Sequence, residues 1–122
     1  MAESGNSIIA DKSKAFAIRV VGMARYLQKE KGEFVLSKQV LKSGTSIGAN
    51  VRESKNAESK FDFIHKLEIA LKESDETEYW LDILYETNYI PQSIYDSMLT
   101  DNKELTALLT SIIKTSKSSI NK

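Results

Sequence analysis

An all-α fold, an antiparallel up-down-up-down four-helix bundle, is what this sequence predicts, and three observations predict it. Four stretches of the 122-residue chain repeat apolar residues at steps of three and four. The only proline, Pro91, stands between the third stretch and the fourth. No run alternates apolar and polar residues around a hairpin turn. Long helices joined by short connections favour antiparallel neighbours, and a chain of this size makes one domain over 1–122.

The first helix is expected from about Ser7 to Lys31, with Ile9, Phe16, Val20, Met23 and Leu27 on one face and Ala17 and Ala24 beside them. Twenty-five residues span ~37 Å at 1.5 Å each, and Gly32 follows as a stop signal. The second is expected over about 36–56, its stripe Leu36, Val40, Gly44, Ile47 and Val51. The third covers roughly 58–87, with Ile64, Leu67, Leu71, Ser74, Glu78, Leu81 and Tyr85 at steps of three and four. Pro91 suits a first helical turn and no helix interior. The fourth therefore runs from about 92 to 116, carrying Ile94, Met98, Leu105, Leu108, Leu109 and Ile112. The Ser- and Lys-rich end, Lys114 to Lys122, is expected to fray.

Two features of helices two and three break the simple pattern. Gly44 and Gly48, four apart, lie on the apolar stripe of helix two, where each glycine costs about 1 kcal/mol against alanine. A neighbouring backbone that approaches closely would explain them. A phosphate loop would place Lys and Ser/Thr after its last glycine, and here Ala49 and Asn50 follow. In helix three, Ser74 and Glu78 interrupt the stripe, and a buried carboxylate needs a partner. Arg52 or Asn50 is the expected one, in a polar network that sets helix register; the alternative is that Glu78 lies at a helix end and reaches water. On the opposite face of helix three, Ile69, Trp80 and Ile83 are expected, with Phe61 and Tyr79 to one side. Apolar and aromatic residues there suit a protein partner, and self-association is the preferred reading.

Catalytic chemistry finds little support. There is no cysteine, hence no disulfide, thiol nucleophile or thiolate metal site, and His65 is the only histidine. Asp62, three residues before it, resembles half of a di-metal motif whose second histidine does not exist. No nucleophile elbow supports a serine triad. No catalytic residue, no metal and no cofactor is expected, and the protein is read as a non-enzyme. No basic leader precedes an apolar core, and no eighteen apolar residues run together. The expected location is the cytoplasm, with no membrane partner.

Charge is more informative by segment than in total. Seventeen basic groups balance seventeen acidic ones. Residues 1–32 carry six basic and three acidic groups, 33–57 four and two, 58–87 three and nine, and 88–122 four and three. A basic half facing an acidic third helix could track nucleic-acid phosphates through Lys12, Lys14, Arg19, Arg25, Lys38, Lys42 or Arg52. The same segregation could knit helices or subunits together.

The segment LSKQVLKSGTSIGAN, from Leu36 to Asn50, resembles the signature of the four-helix bundle family named after the 23S rRNA intervening sequence. Ala57-Glu58-Ser59, Asp62-Phe63-Ile64, the run from Leu67 to Glu73 and the run from Glu76 to Leu81 match that family's third helix. The resemblance implies a ring-like homopentamer of four-helix bundles, in a family for which no enzymatic role is established. It extends to the accessory variability determinant of diversity-generating retroelements, a basic pentamer that binds nucleic acid and a reverse transcriptase. By that likeness the expected partners are other copies of the chain, RNA or DNA, and a partner protein. This chain departs from the likeness in being neutral.

Overall fold

Each helix begins and ends where local chemistry satisfies its free backbone groups. The computed structural model describes the backbone of residues 5–120 and the side chains of residues 7–120. Residues 1–4, read above as lacking a leader, and Asn121 and Lys122 of the tail lie outside the described residues. Helix α1 spans Gly5–Lys31, and Gly32 leaves it at φ +61°, a backbone conformation that suits glycine. Helix α2, Leu36–Ser54, follows after a short connection. Its first turn has no capping side chain on Val35; the Glu33 carboxylate takes that place, accepting the N–H groups of Val35, Leu36 and Ser37 at 3.1, 2.9 and 2.7 Å.

Helix α3 is Lys60–Glu86. It starts two residues later than the periodicity suggests, because Ser59 is its N-cap and accepts the Asp62 N–H at 3.0 Å. Asp62 returns the contact by accepting the Glu58 N–H at 3.2 Å. The far end closes with Asn88 at φ 65°, while the N–H groups of Tyr89 and Asn88 bond to Leu84 and Tyr85 carbonyls at 2.9 and 3.0 Å. That is the paired bonding of a Schellman end, with asparagine in the position glycine usually takes. The Pro91 carbonyl then accepts the N–H groups of Ile94 and Tyr95 and opens α4, Gln92–Ile120. The expected end of the helix near 116 is corrected: α4 continues to Ile120, where Ile113 and Ser116 are buried, Ile120 packs on the core and Lys117 pairs with Glu68 at 2.8 Å.

Each helix packs on the next in sequence and α1 closes on α4; α1 and α3 occupy diagonal corners, as do α2 and α4, with no Cα atoms of a diagonal pair within 8 Å, and all four meet in one core through their side chains. The side-chain contacts give the directions. Along α1–α2, Ser13 lies by Gly48, Val20 by Gly44, and Gln28 bonds Ser37. Along α2–α3, Thr77 bonds Ser43 and Lys66 pairs with Glu53. Along α3–α4, Glu68 meets Lys117, Ser74 meets Asn102, and Asp82 meets Tyr95. Along α1–α4, Lys12 meets Glu104 and Arg19 meets Ser97. Numbers rise on one helix as they fall on the other in every pair, so all four seams are antiparallel.

The core holds Phe16, Leu27, Ile47, Leu67, Leu81, Met98, Leu105 and Leu109 almost without exposure. The α1 stripe lies wholly inside, and on α2 all but half-buried Leu36 does. The α3 stripe is corrected by one step: Ala70, Thr77 and Leu84 are buried, while Leu71, Glu78 and Tyr85 are half-exposed. Both sets share Ile64, Leu67, Ser74 and Leu81 and both have helical spacing. Helix α3 packs between α2 and α4, and the Thr77 hydroxyl donating to Ser43 Oγ at 2.9 Å turns it toward α2. On α4, Ile94 is exposed and polar Asn102 is buried, another correction.

Candidate nucleic-acid interface

Helices α1 and α2 approach closely enough to turn their outer seam into a shallow groove. A Cβ on Gly44 would stand 2.8 and 2.9 Å from the Val20 methyl carbons, and one on Gly48 would stand 3.3 Å from the Ser13 carbonyl oxygen. These glycines sit at the α1 contact, inside a regular helix. Outside them opens a hollow of about 570 Å³ floored by Ala10, Ala17, Gly48 and Ala49. Lys14 stands on its α1 side, Arg52 and Lys55 on its α2 side, and Asp11 is the carboxylate among them. Among the described residues, Lys14, Arg52 and Lys55 enter no ion pair. Lys55 was not singled out in the sequence, although it follows Arg52 by three and so shares its face.

The other basic candidates do not join this groove. Lys12 pairs with Glu104 at 3.2 Å, and Arg19 forms an ion pair with Asp101 and donates to Ser97 Oγ at 2.9 Å. Both are committed to α4. Arg25 lines a separate hollow of about 430 Å³ with Gln28, Lys29 and Phe34. Lys38 and Lys42 are exposed on α2, and Lys42 acts electrostatically on Glu73 of α3. The seven cations therefore fall into separate groups, and only Lys14 and Arg52 of them share the hollow.

The polar network differs from the expected one. Glu78 is not buried with Arg52 or Asn50; it is partly exposed and receives Lys103 Nζ at 3.2 and 3.3 Å. The reason is the one-step rotation of α3, which carries position 78 toward α4. Arg52 is exposed, and Asn50 Nδ2 donates to the Ser46 carbonyl of its own helix at 2.9 Å. Ser74 does anchor a buried network, with Asn102 Oδ1 at 3.2 Å and Thr106 Oγ1 at 2.6 Å, while Asn102 Nδ2 donates to the Ser74 carbonyl at 2.9 Å. No buried side-chain polar atom among the described residues lacks a partner.

On α3 the candidates divide. Trp80 is corrected from an outward position: it is half-buried, packs against the core and donates Nε1–H to Glu76 Oε2 at 3.3 Å. Ile69 and Ile83 are half-buried. The strongly exposed aromatics are Phe61, at 71%, and Tyr79, at 57%, whose ring meets Trp80 edge-on.

Local fields perturb few groups. Burial pushes the Glu33 carboxyl up, but the N–H bonds of Leu36, Ser37 and Val35 together outweigh it and hold the group below its ordinary value. Glu73 is pushed up by burial and by Glu76, against the pull of Lys42 and Lys72. Tyr95 is pushed up to about 12, chiefly because its hydroxyl donates to Asp82 Oδ1 at 2.6 Å. No three His, Asp or Glu side chains among the described residues gather in a way that could hold a metal ion. No helix among them is long and apolar enough to cross a membrane.

No curated protein matches the chain. A solved structure does: a protein of unknown function from the S23 ribosomal protein family of Bacteroides thetaiotaomicron VPI-5482. It is 52% identical, superposes with a TM-score of 0.90, and the match covers 91% of this chain and 99% of that one. The family model described as 23S rRNA-intervening sequence protein matches residues 5–111. With the four helices, their antiparallel seams and the paired glycines of α2 in place, the chain belongs to the 23S rRNA-intervening sequence protein family.

Proposed function

We propose that this protein is a non-enzymatic, homo-oligomeric helical module of the cytoplasm that binds RNA or DNA through the basic surface of α1 and α2. The family resemblance implies five copies. The observation that carries the reading is the groove lined by Lys14, Arg52 and Lys55, none of them in an ion pair among the described residues, against the single carboxylate of Asp11 and small residues. Three unpaired ammonium and guanidinium groups on one seam suit a phosphodiester backbone, which a floor of alanine and glycine lets approach closely. A zero net charge fits a binder that uses one face only. A single histidine and the lack of cysteine favour binding over catalysis.

The test is a salt titration of fluorescently labelled RNA and DNA duplexes and single strands. Affinity should fall steeply with salt, and the triple substitution K14A/R52A/K55A should weaken binding and reduce the logarithmic salt slope by about 3. No binding at low salt, or binding indifferent to that triple substitution, would overturn the nucleic-acid reading. Light-scattering mass tests the assembly separately: a mass near five chains is expected, and a single-chain mass would overturn it. A second reading, a protein-binding scaffold with no nucleic-acid role, is favoured by the commitment of Lys12 and Arg19 to α4 carboxylates. It takes over if the titration fails while the mass is multimeric.

A further inference from the structure

Phe34 is 55% exposed, yet the chain on either side of it is fastened. Before it, the Glu33 N–H donates to the Leu27 carbonyl at 3.0 Å. After it, the Val35, Leu36 and Ser37 N–H groups are taken by the Glu33 carboxylate, and Gln28 Nε2 donates to Ser37 Oγ at 3.1 Å. The ring is therefore held in water by a bonded corner between α1 and α2, where its apolar face gains nothing from folding.

Cations stand beside the ring. Arg25, Gln28 and Lys29 line the hollow of about 430 Å³ that Phe34 shares. Neither Arg25 nor Lys29 enters an ion pair among the described residues. From residue 25 to residue 38 the charges are Arg25, Lys29, Lys31 and Lys38 against Glu30 and Glu33. The Glu33 oxygens are occupied by three N–H groups. Glu30 is next to Lys29 in sequence and so lies on a different face of α1.

The hollow also lines up with the groove of Lys14, Arg52 and Lys55. Arg25 follows Lys14 by eleven residues, three helical turns, so both point to one side of α1 with exposed Ile18 between them. They stand ~16 Å apart along the helix axis at 1.5 Å per residue. On α2, Lys38, Thr45 and Arg52 follow at steps of seven and share a face, and Thr45 and Arg52 line the groove. Of the other acids of α1 and α2, Asp11 lines the groove and Glu53 pairs with Lys66. One edge of the α1–α2 pair thus carries cations at both ends and an aromatic ring at one.

We infer that Phe34 is a stacking platform for an unpaired base of RNA or single-stranded DNA. Arg25 and Lys29 meet the flanking phosphates, and the strand runs along this edge into the groove. Charge answers the phosphates and the ring answers the base, the two parts a single strand presents. Every base has a π-face, so the stack asks for no particular sequence. A duplex keeps its bases stacked on one another, and the ring gains nothing from it. The site therefore selects unpaired strands over duplex.

This inference rests on the nucleic-acid reading above, and the experiment separates the two. Fluorescence anisotropy compares a duplex with its unpaired strand, as RNA and as DNA, with thermal unfolding as a control on folding. The wild type should bind the unpaired strand more tightly than the duplex in at least one of the two arms, and the arm shows which sugar is preferred. F34A and F34L should each weaken single-strand binding roughly tenfold with the salt slope and the duplex affinity unchanged, while F34Y keeps the wild-type affinity. R25A/K29A should reduce the logarithmic salt slope by about 1.4, at ~0.7 for each phosphate of a single strand. A strand carrying 5-iodouracil should photocrosslink to Phe34, located by mass spectrometry. Single-strand affinity indifferent to F34A and F34L, or a crosslink only at other residues, would overturn the stacking and leave binding through the groove standing. A wild type that binds neither strand nor duplex would overturn both.

Discussion

Glu33 and Ser37 hold each other in both directions across the start of α2: Glu33 Oε1 accepts the Ser37 N–H at 2.7 Å, and Ser37 Oγ donates to the Glu33 carbonyl at 2.9 Å. Gln28 of α1 adds a bond to the same hydroxyl at 3.1 Å, so the corner between α1 and α2 is fastened from both sides. This buried carboxylate meets three helix N–H groups and the positive end of the α2 dipole.

Glu33→Gln should therefore destabilise the protein by about 1–2 kcal/mol at neutral pH. The sign with pH follows from the lowered Glu33 pKa. Its stabilisation is complete above the unfolded-state carboxylate pKa and is lost as pH falls through the lower folded-state value. Urea unfolding from pH 7 down to pH 3 should show the wild type losing its advantage over the variant; a constant difference would count against the mechanism.

Gly44 and Val20 make a second sharp case. Gly44→Ala gains helix propensity but places a Cβ within 2.9 Å of two methyl carbons of a buried, β-branched side chain. The expected net loss is about 1–3 kcal/mol. Val20→Ala should lose stability on its own by opening a cavity. The double variant should lose less than the two single losses together, because the alanine Cβ enters the vacated space. Strict additivity in chemical unfolding would contradict the close contact.

Asn102 is the buried polar residue of α4, bonded to both the Ser74 hydroxyl and the Ser74 carbonyl. Asn102→Ala should cost about 2–4 kcal/mol, from two lost hydrogen bonds and an unfilled volume. A loss under ~0.5 kcal/mol in thermal or urea unfolding would mean that the network does not hold α3 to α4.

Glu78 should behave in the opposite way. Its pair with Lys103 is solvent-exposed on the lysine side, so Glu78→Gln should change stability by less than about 1 kcal/mol, and less still at high salt. A large loss would restore the buried role that its place in the α3 stripe suggests.

Much of the architecture was legible because it is written in short-range spacing. Ile9, Phe16, Val20 and Leu27 announce the buried face of α1, and two glycines four apart announce the close approach of α2. The capping pair of α3, Ser59 and Asp62, is equally local, a hydroxyl and a carboxylate three residues apart ahead of an apolar run. Glu33 was not readable: nothing in its neighbours shows that the connection curls its carboxylate onto the next helix.

Periodicity, capping residues and one proline act within a few residues of chain, and that is why helix number, order and approximate limits follow from them. Which of two overlapping stripes α3 buries is a different kind of question. Ile64, Leu67, Ser74 and Leu81 belong to both, and only simultaneous packing on α2 and α4 selects Thr77 over Glu78. The fate of the cations is likewise non-local. Lys12 and Arg19 are spent on α4 while Lys14, Arg52 and Lys55 line one seam, because pairing depends on which helices are neighbours across 82 residues of chain for Arg19 and Asp101 and more for Lys12 and Glu104.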